Sequence, residues 1–258
     1  MNPPTVISSS HNALLKDVRR LATGTTDYRK QGRFWVEGDH LVQAALRRGI
    51  HPDIGIFSES FWPLVPVEYA CAAIQNIVIK DVLYDTLSTL ESPSRMGFVF
   101  DLPTQQPMQT EVKTVILDRV QDAGNVGAIL RSASAFGFGQ VFAIKGSAAL
   151  WSPKVLRAGM GAHWGLQLIE GVEVDAVAHL NVPILVTSSH NGRYLHELLK
   201  ELPMPCAWVF GHEGQGVSHA LDALAAMHIR IAQPGGEESL NVAAAAAICL
   251  HASASVRS

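Results

Sequence analysis

The block ESLNVAAAAAICLH places Glu238, Ser239 and Asn241 at the mouth of an almost purely apolar run. Packing gives no reason for that cluster, whereas a carboxylate, a hydroxyl and an amide together can orient a ligand through hydrogen bonds. Two earlier blocks have the same character: LDRVQDAGNVGAILRSASAFGFG, Leu117 to Gly139, and VFGHEGQGVS, Val209 to Ser218. In each, a β-type run meets glycine and polar residues, and a helix-type run follows. Three such junctions predict one site assembled from several loops.

Each junction has its own chemistry. In the first, Asn125 is expected just ahead of a helix, where its side chain can cap free N–H groups, and Gly127 permits a tight turn. Arg131 is expected on the second turn of that helix. Its fork of fixed positive charge suits phosphate, and a surface arginine with a snorkelling stem is the blander alternative. In the second, three glycines let the backbone pass close to a ligand, but Glu213 argues against simple phosphate cradling. No Gly-Lys-Ser or Gly-Lys-Thr follows, so this is not the loop of nucleotide hydrolases. A glycine-rich turn with a capping Glu213 stays open, and His212 is read as incidental. In the third, Pro234, Gly235 and Gly236 make a loop, and Ser239 and Asn241 either bond a ligand or cap the final helix.

The elements that carry these junctions alternate. Strand-like runs at 114–117, 140–144, 183–187, 207–210 and 228–231 are separated by helix-like runs such as AILRSASAFG, SPKVLRAGM, VDAVAHL and VSHALDALAAM. Apolar strands alternating with helices indicate a parallel sheet covered on both faces, and ligands then sit beyond the carboxyl ends of the strands. The stretch 101–112, DLPTQQPMQTEV, reads as a linker. Before it, residues 1–100 read as a small α/β domain with a helix at HNALLKDVRRLA and strands at FWVEG, DIGIF, NIVIK and GFVF; after it comes the domain of residues 113–258.

Composition bounds the function. With 258 residues, 48% of them hydrophobic and 17% charged, the chain can bury a sizeable core. No apolar run approaches the roughly 20 residues of a bilayer span. The N-terminus lacks the pattern of a secretory signal. Cys71, Cys206 and Cys249 offer neither a zinc spacing nor an even disulfide set, which fits a reducing cytoplasm. Net charge is −3, yet residues 1–50 carry +4 and the remainder −7. A basic head containing Lys16, Arg19, Arg20, Arg29, Lys30 and Arg33 is a candidate RNA contact, with a solvated helical face as the alternative. GMGAHWG has the wrong spacing for a dinucleotide fingerprint, which disfavours an oxidoreductase. No HExxH metal spacing and no GxSxG elbow occurs, so no metal site is expected.

Taken together, the three junctions resemble the signature motifs of the SpoU (TrmH-type) RNA ribose 2′-O-methyltransferases of the SPOUT superfamily. Asp118, Val120, Asp122, Asn125, Gly127, Ala128 and Arg131 meet the first motif, Gly211, Glu213, Gly214 and Gly216 the second, and Glu238 to Val242 the third. Order and spacing match across residues 113–255. The N-terminal unit resembles the family's L30-like substrate-binding domain through Ser8, Asn12, Lys16 and Val36 to Gly38. Ala123 departs from the usual proline, and Ala232 and Gln233 from a common Pro-Met.

The resemblance implies an α/β fold with a C-terminal trefoil knot, S-adenosylmethionine held in that knot, a homodimer and a cytoplasmic RNA substrate. The expected RNA is 23S ribosomal RNA. A tRNA methyltransferase and a non-catalytic RNA-binding paralogue are the alternatives. By position, Gly211, Ile231 and Leu240 would hold the cofactor, with Thr187 nearby. Asn125, Arg131, Glu213, Ser239 and Asn241 match the catalytic or structural polar set. The reaction needs proximity, orientation and help in removing a hydroxyl proton. Arg131 would contact RNA phosphate. As a base it is poor, with a pKa above about 12, so positioning and charge stabilisation would be its larger role.

Overall fold

The computed structural model describes residues 3–235 and 239–255. Glu238 of the third junction lies outside the described residues. The chain forms two compact units: residues 1–104 with 151–164, and residues 105–150 with 165–258.

In the first unit, strands β1 (Thr5–Ile7), β2 (Arg33–Glu37), β3 (Ile54–Ser58), β4 (Gln75–Ile79) and β5 (Met96–Asp101) form one sheet in the order β1-β4-β3-β5-β2. Strands β1, β4 and β3 run parallel, while β5 is antiparallel to both β3 and β2. The helices are α1 (Ala13–Thr23), α2 (Asp27–Gln31), α3 (Asp39–Leu46), α4 (Val67–Ala70) and α5 (Asp81–Asp85). Helix α1 starts at Asn12, whose side chain accepts the Leu14 N–H at 2.9 Å. It buries Leu15, Val18 and Leu21 and leaves Lys16 and Arg20 exposed, as the 3.6-residue period requires.

The second unit holds β6 (Thr114–Asp118), α6 (Ala123–Ala135), β7 (Gln140–Ile144), β8 (Gln167–Val172), α8 (Val174–Val177), β9 (Ile184–Thr187), β10 (Arg193–Tyr194), α9 (Leu195–Leu198), β11 (Ala207–Gly211), α10 (His219–Asp222), β12 (Met227–Arg230) and α11 (Val242–Ser255). Helix α7 (Pro153–Gly159), between β7 and β8 in the chain, belongs to the first unit. All seven strands are parallel, in the order β10-β12-β9-β11-β6-β7-β8. Side-chain alternation sends Ile116, Phe142, Val186 and Val209 into a cluster with Val177 and Leu221. Trp208 belongs to the other face, where its indole Nε1–H donates to Ser253 Oγ of α11 at 2.9 Å with both groups buried. Helices therefore cover both faces, and strands β6 and β7 are buried along their whole length.

Strands β1, β8 and β10 are absent from the sequence reading. Strand β8 carries Gln167, Glu170 and Gly171 in place of an apolar run, and β10 has two residues. The helix expected over VSHALDALAAM is confined to His219–Asp222.

Residues 151–164 join the first unit through aromatic packing. The Trp151 ring lies 4.7 Å from Phe34, and Trp164 lies 4.8 Å from Phe100. Trp164 Nε1–H also donates to the Leu41 carbonyl at 3.0 Å. The second half of the linker stretch is fastened to the second unit: Gln140 Nε2 donates to the Gln109 carbonyl at 2.9 Å, and Gln167 Nε2 to the Pro107 carbonyl at 2.7 Å.

Candidate active site

The first junction begins where β6 ends. Asp122 caps α6, its carboxylate accepting the Asn125 N–H at 2.8 Å. Asn125 thus sits inside the first turn and not ahead of the helix. Gly127 is a buried helical residue and makes no turn, and Arg131 falls on the third turn, not the second. The helix starts ahead of its apolar run because Asp122, not Asn125, supplies the cap. Ala123 occupies the first helical position, which tolerates proline without requiring it.

The second junction is a small hairpin. His212 N–H donates to the Gly216 carbonyl at 3.0 Å, and Gly216 N–H returns a bond of 2.9 Å to the His212 carbonyl. Glycine is required at 211, where any Cβ would run into the backbone of Gly216 and Val217. Glu213 points back onto the first junction. Its carboxylate accepts Asn125 Nδ2 at 3.1 Å, the Asp122 N–H at 3.2 Å and the Gln121 N–H at 3.3 Å. Glu213 is a capping residue, then, but for the start of α6, nearly a hundred residues away. Burial pushes its carboxyl up, but the hydrogen bonds from Asn125 and the backbone together outweigh that and hold it below the usual carboxylate range.

A second strap lies behind the hairpin. Asp118, 1% exposed at the end of β6, accepts Arg119 Nε at 3.0 Å and the Ser218 N–H at 2.5 Å. Arg119 adopts a left-handed φ of 59°, uncommon for a side chain of this size, and its Nη1 donates to Gln215 Oε1 at 2.9 Å. Arg119 and Gln215 escaped the sequence reading. A buried acid closing an apolar strand was the available signal.

At the third junction Asn241 caps α11, its Oδ1 accepting the N–H groups of Ala243 at 2.9 Å and Ala244 at 3.3 Å. Its Nδ2 donates to Asn125 Oδ1 at 3.0 Å. The three junctions are thereby joined in one line, Glu213 to Asn125 to Asn241. Asn125 accepts from one neighbour and donates to the other, which fixes the orientation of its amide.

Beside this line opens a cavity of about 1040 Å³ beyond the carboxyl ends of β9, β11 and β12. Its lining includes all four expected cofactor residues, Thr187, Gly211, Ile231 and Leu240, together with Glu213, Ser239 and Asn241. Thr187 Oγ1 is spent on the Val209 carbonyl at 2.9 Å, so that hydroxyl's proton is not free for a ligand. Asn125 touches the lining through Glu213 and Asn241. Among the described residues the lining holds Glu213 and Asp222 but no lysine or arginine. Gln233 contributes a buried Oε1 that has no hydrogen-bond partner among the described residues. An apolar wall of Ile229, Ile231 and Leu240, a close-approach glycine and an unmatched acceptor fit a nucleoside carrying positive charge and disfavour a phosphate.

Arg131 departs from the expected constellation. It is exposed on α6, does not line the cavity, and has no hydrogen bond or ion pair among the described residues. In the first unit the basic residues divide. Arg33 is paired with Asp101 at 3.0 Å and Asp53 at 3.8 Å, Arg19 bonds Thr86, and Arg29 lies against Tyr28. Arg20 meets Asp17 at 3.8 Å, while Lys16 and Lys30 are exposed and have no ion pair among the described residues. Among the described residues no cluster of three His, Cys, Asp or Glu is placed to hold a metal, and no helix is long and apolar enough to cross a membrane.

Comparison with known proteins accords with this geometry. The model of the SpoU rRNA Methylase family matches residues 113–251. The 23S rRNA (guanosine(2553)-2′-O)-methyltransferase RlmP of Bacillus subtilis is 30% identical over 249 residues, covering 95% of this chain and 97% of that protein. A solved structure from Porphyromonas gingivalis, assigned to the TrmH family of RNA methyltransferases, superposes with a TM-score of 0.79 at 30% identity, covering 94% of this chain and 97% of that one. An AdoMet-bound rRNA methyltransferase from Sinorhizobium meliloti shares the fold, with a TM-score of 0.82 at 23% identity over 96% of this chain and 97% of that one.

Proposed function

The chain belongs to the SpoU rRNA Methylase family, and from that premise we propose that it methylates a ribose 2′-hydroxyl of structured RNA, with 23S ribosomal RNA as the target and S-adenosylmethionine as the donor. One observation carries the reading: the line Glu213–Asn125–Asn241 closes three separate loops onto the wall of a cavity that is free of lysine and arginine among its described residues.

Gly211, Ile231 and Leu240 would hold the cofactor by backbone and apolar contact, with Thr187 shaping the floor. When bound, S-adenosylmethionine supplies a methyl group already activated by its sulfonium charge. Glu213 and Asp222 give the wall a negative field that favours a cation. Asn125, bonded by two side chains, and Asn241, bonded by one side chain and two backbone N–H groups, hold the loop ends still, and the Ser239 hydroxyl is available to orient the ribose. This division leaves orientation as the protein's main contribution.

Arg131 stands outside its own cavity, and we assign it to the cavity of a second copy in a homodimer, where it would hold RNA phosphate and stabilise charge on the attacking oxygen. Strand β11 between β6 and β9, with β12 beyond β9, supports the knotted path of the family. The first unit is read as the L30-like RNA-binding part, with Lys16 and Lys30 as its least encumbered cations. The cytoplasm is the proposed compartment.

The test is methyl transfer from radiolabelled S-adenosylmethionine to ribosomal RNA and tRNA lacking native modifications, followed by digestion to nucleosides. Label in a 2′-O-methylnucleoside from ribosomal RNA is expected. Label on a base, or none in either RNA while the cofactor binds, would overturn the reading.

A further inference from the structure

We propose that His212 is a positioning residue for methyl transfer that acts only with its Nδ1 unprotonated. The inference rests on the reading above, but its geometry is independent of the substrate.

His212 stands at the base of the hairpin that carries Glu213. Its backbone pairs with Gly216 in both directions, and its ring serves as an acceptor inside the loop. Nδ1 accepts the Gly214 N–H at 2.9 Å and the Gln215 N–H at 3.2 Å. Two donors converge on a single lone pair, so no proton can be present on that nitrogen, and the neutral ring must carry its proton on Nε2. Glu213 lies between His212 and Gly214 in the chain, so the shape of this loop aims its carboxylate at Asn125. A proton on Nδ1 would set a donor against two donors. The loop would open, and Glu213 would lose its direction.

Charged and titratable groups surround the ring on three sides. On the loop itself, Glu213 is engaged by Asn125 and by the backbone of 121 and 122. Across the cavity stand His190, His219 and Asp222. Behind the loop, Asp118 and Arg119 pair with each other, and Arg119 reaches the hairpin through Gln215. His190 and His219 are further imidazoles on the same cavity, so the test must isolate His212. Asparagine does so. Its side-chain oxygen accepts backbone N–H groups in the manner of an Asx turn and takes up no proton.

The experiment compares the parent chain with H212A and H212N, measuring kcat/KM for RNA methylation between about pH 5 and about pH 8, where unperturbed histidines change charge. H212A is expected to fall about tenfold at the upper end, from two unmet loop donors, and H212N to recover most of that loss. The ratio of parent to H212N activity should then decline about tenfold toward the acid end, a loss that asparagine escapes. A ratio that stays flat with pH overturns the proposal. Long-range ¹⁵N–¹H correlation of the imidazoles gives a reading that needs no substrate: the signal missing in H212N should show Nδ1 unprotonated and Nε2 protonated at neutral pH. The opposite tautomer overturns the proposal even where H212A does not fold. If the parent methylates no RNA, the functional reading fails while the tautomer still decides the part His212 plays in the loop.

Discussion

Asn125 and Asn241, separated by 116 residues in sequence, meet side chain to side chain at 3.0 Å. The contact couples the starts of two helices that share one face of the sheet, and Glu213 holds the other end of the Asn125 amide. Each of the three residues therefore fixes its neighbour, and their effects should not be additive. Asn125→Ala and Asn241→Ala are each expected to lower kcat/KM by about 10²-fold, and the double variant by far less than the product. A double-mutant cycle on methyl transfer checks this, and simple additivity would argue against the line.

Glu213 gives the site an acid limit. Its carboxyl lies below the usual range because Asn125 and the backbone donors favour the charged form. A depressed folded value contributes stability that is fully present above the unfolded value and is lost as pH falls through the folded one. In H212N, where no imidazole can disturb the loop, the bonds of Glu213 should consequently persist through the ordinary carboxylate range, near about 4.3, and be lost only below it. Amide exchange at residues 121 and 122 against pH reads this directly. Adding Glu213→Gln to that variant should speed exchange at both residues and abolish the acid-triggered step.

Arg131→Ala should leave S-adenosylmethionine affinity unchanged, since the side chain lies outside its own cavity's lining and would meet RNA phosphate in the second copy's, while methyl transfer falls by about 10²-fold or more. Calorimetry paired with the radiolabel assay separates the two. A loss of cofactor affinity equal to the loss of rate would place Arg131 in the wrong role.

Ser253→Ala removes the acceptor of the buried Trp208 indole. An unmet buried donor costs about 1–3 kcal/mol, and urea denaturation should show that loss without a change in methyl transfer per folded molecule.

Much of this site was legible in the residues themselves. Glycine and polar side chains at the ends of apolar strands marked the three junctions, because a parallel sheet leaves its carboxyl ends open to ligands. The expectation that Ile231 and Leu240 meet the cofactor came from the family resemblance and not from that pattern. What could not be read was partnership. Nothing in Glu213 says that it caps a helix begun near residue 122, and the left-handed turn at Arg119 has no glycine to announce it. The apolar periodicity of α7 predicts a buried face but not which sheet it will bury against, and so residues 151–164 looked like part of the second unit.

Trp151→Ala tests that assignment. Trp151 is 6% exposed and packs on Phe34, and loss of a buried indole costs about 3–5 kcal/mol. Protection of the amides in β2 and β5 should drop, while β6 and β7 keep theirs.

The excursion of residues 151–164 also sets a timetable for biosynthesis. Domains tend to fold as they leave the ribosome, amino end first. Here the first sheet is synthesised by residue 101, yet the indoles of Trp151 and Trp164 that pack on Phe34 and Phe100 arrive 50 and 63 residues later. During that interval Phe34 and Phe100 lack these two indole partners, and the earlier unit reaches its finished packing only after the later one has begun.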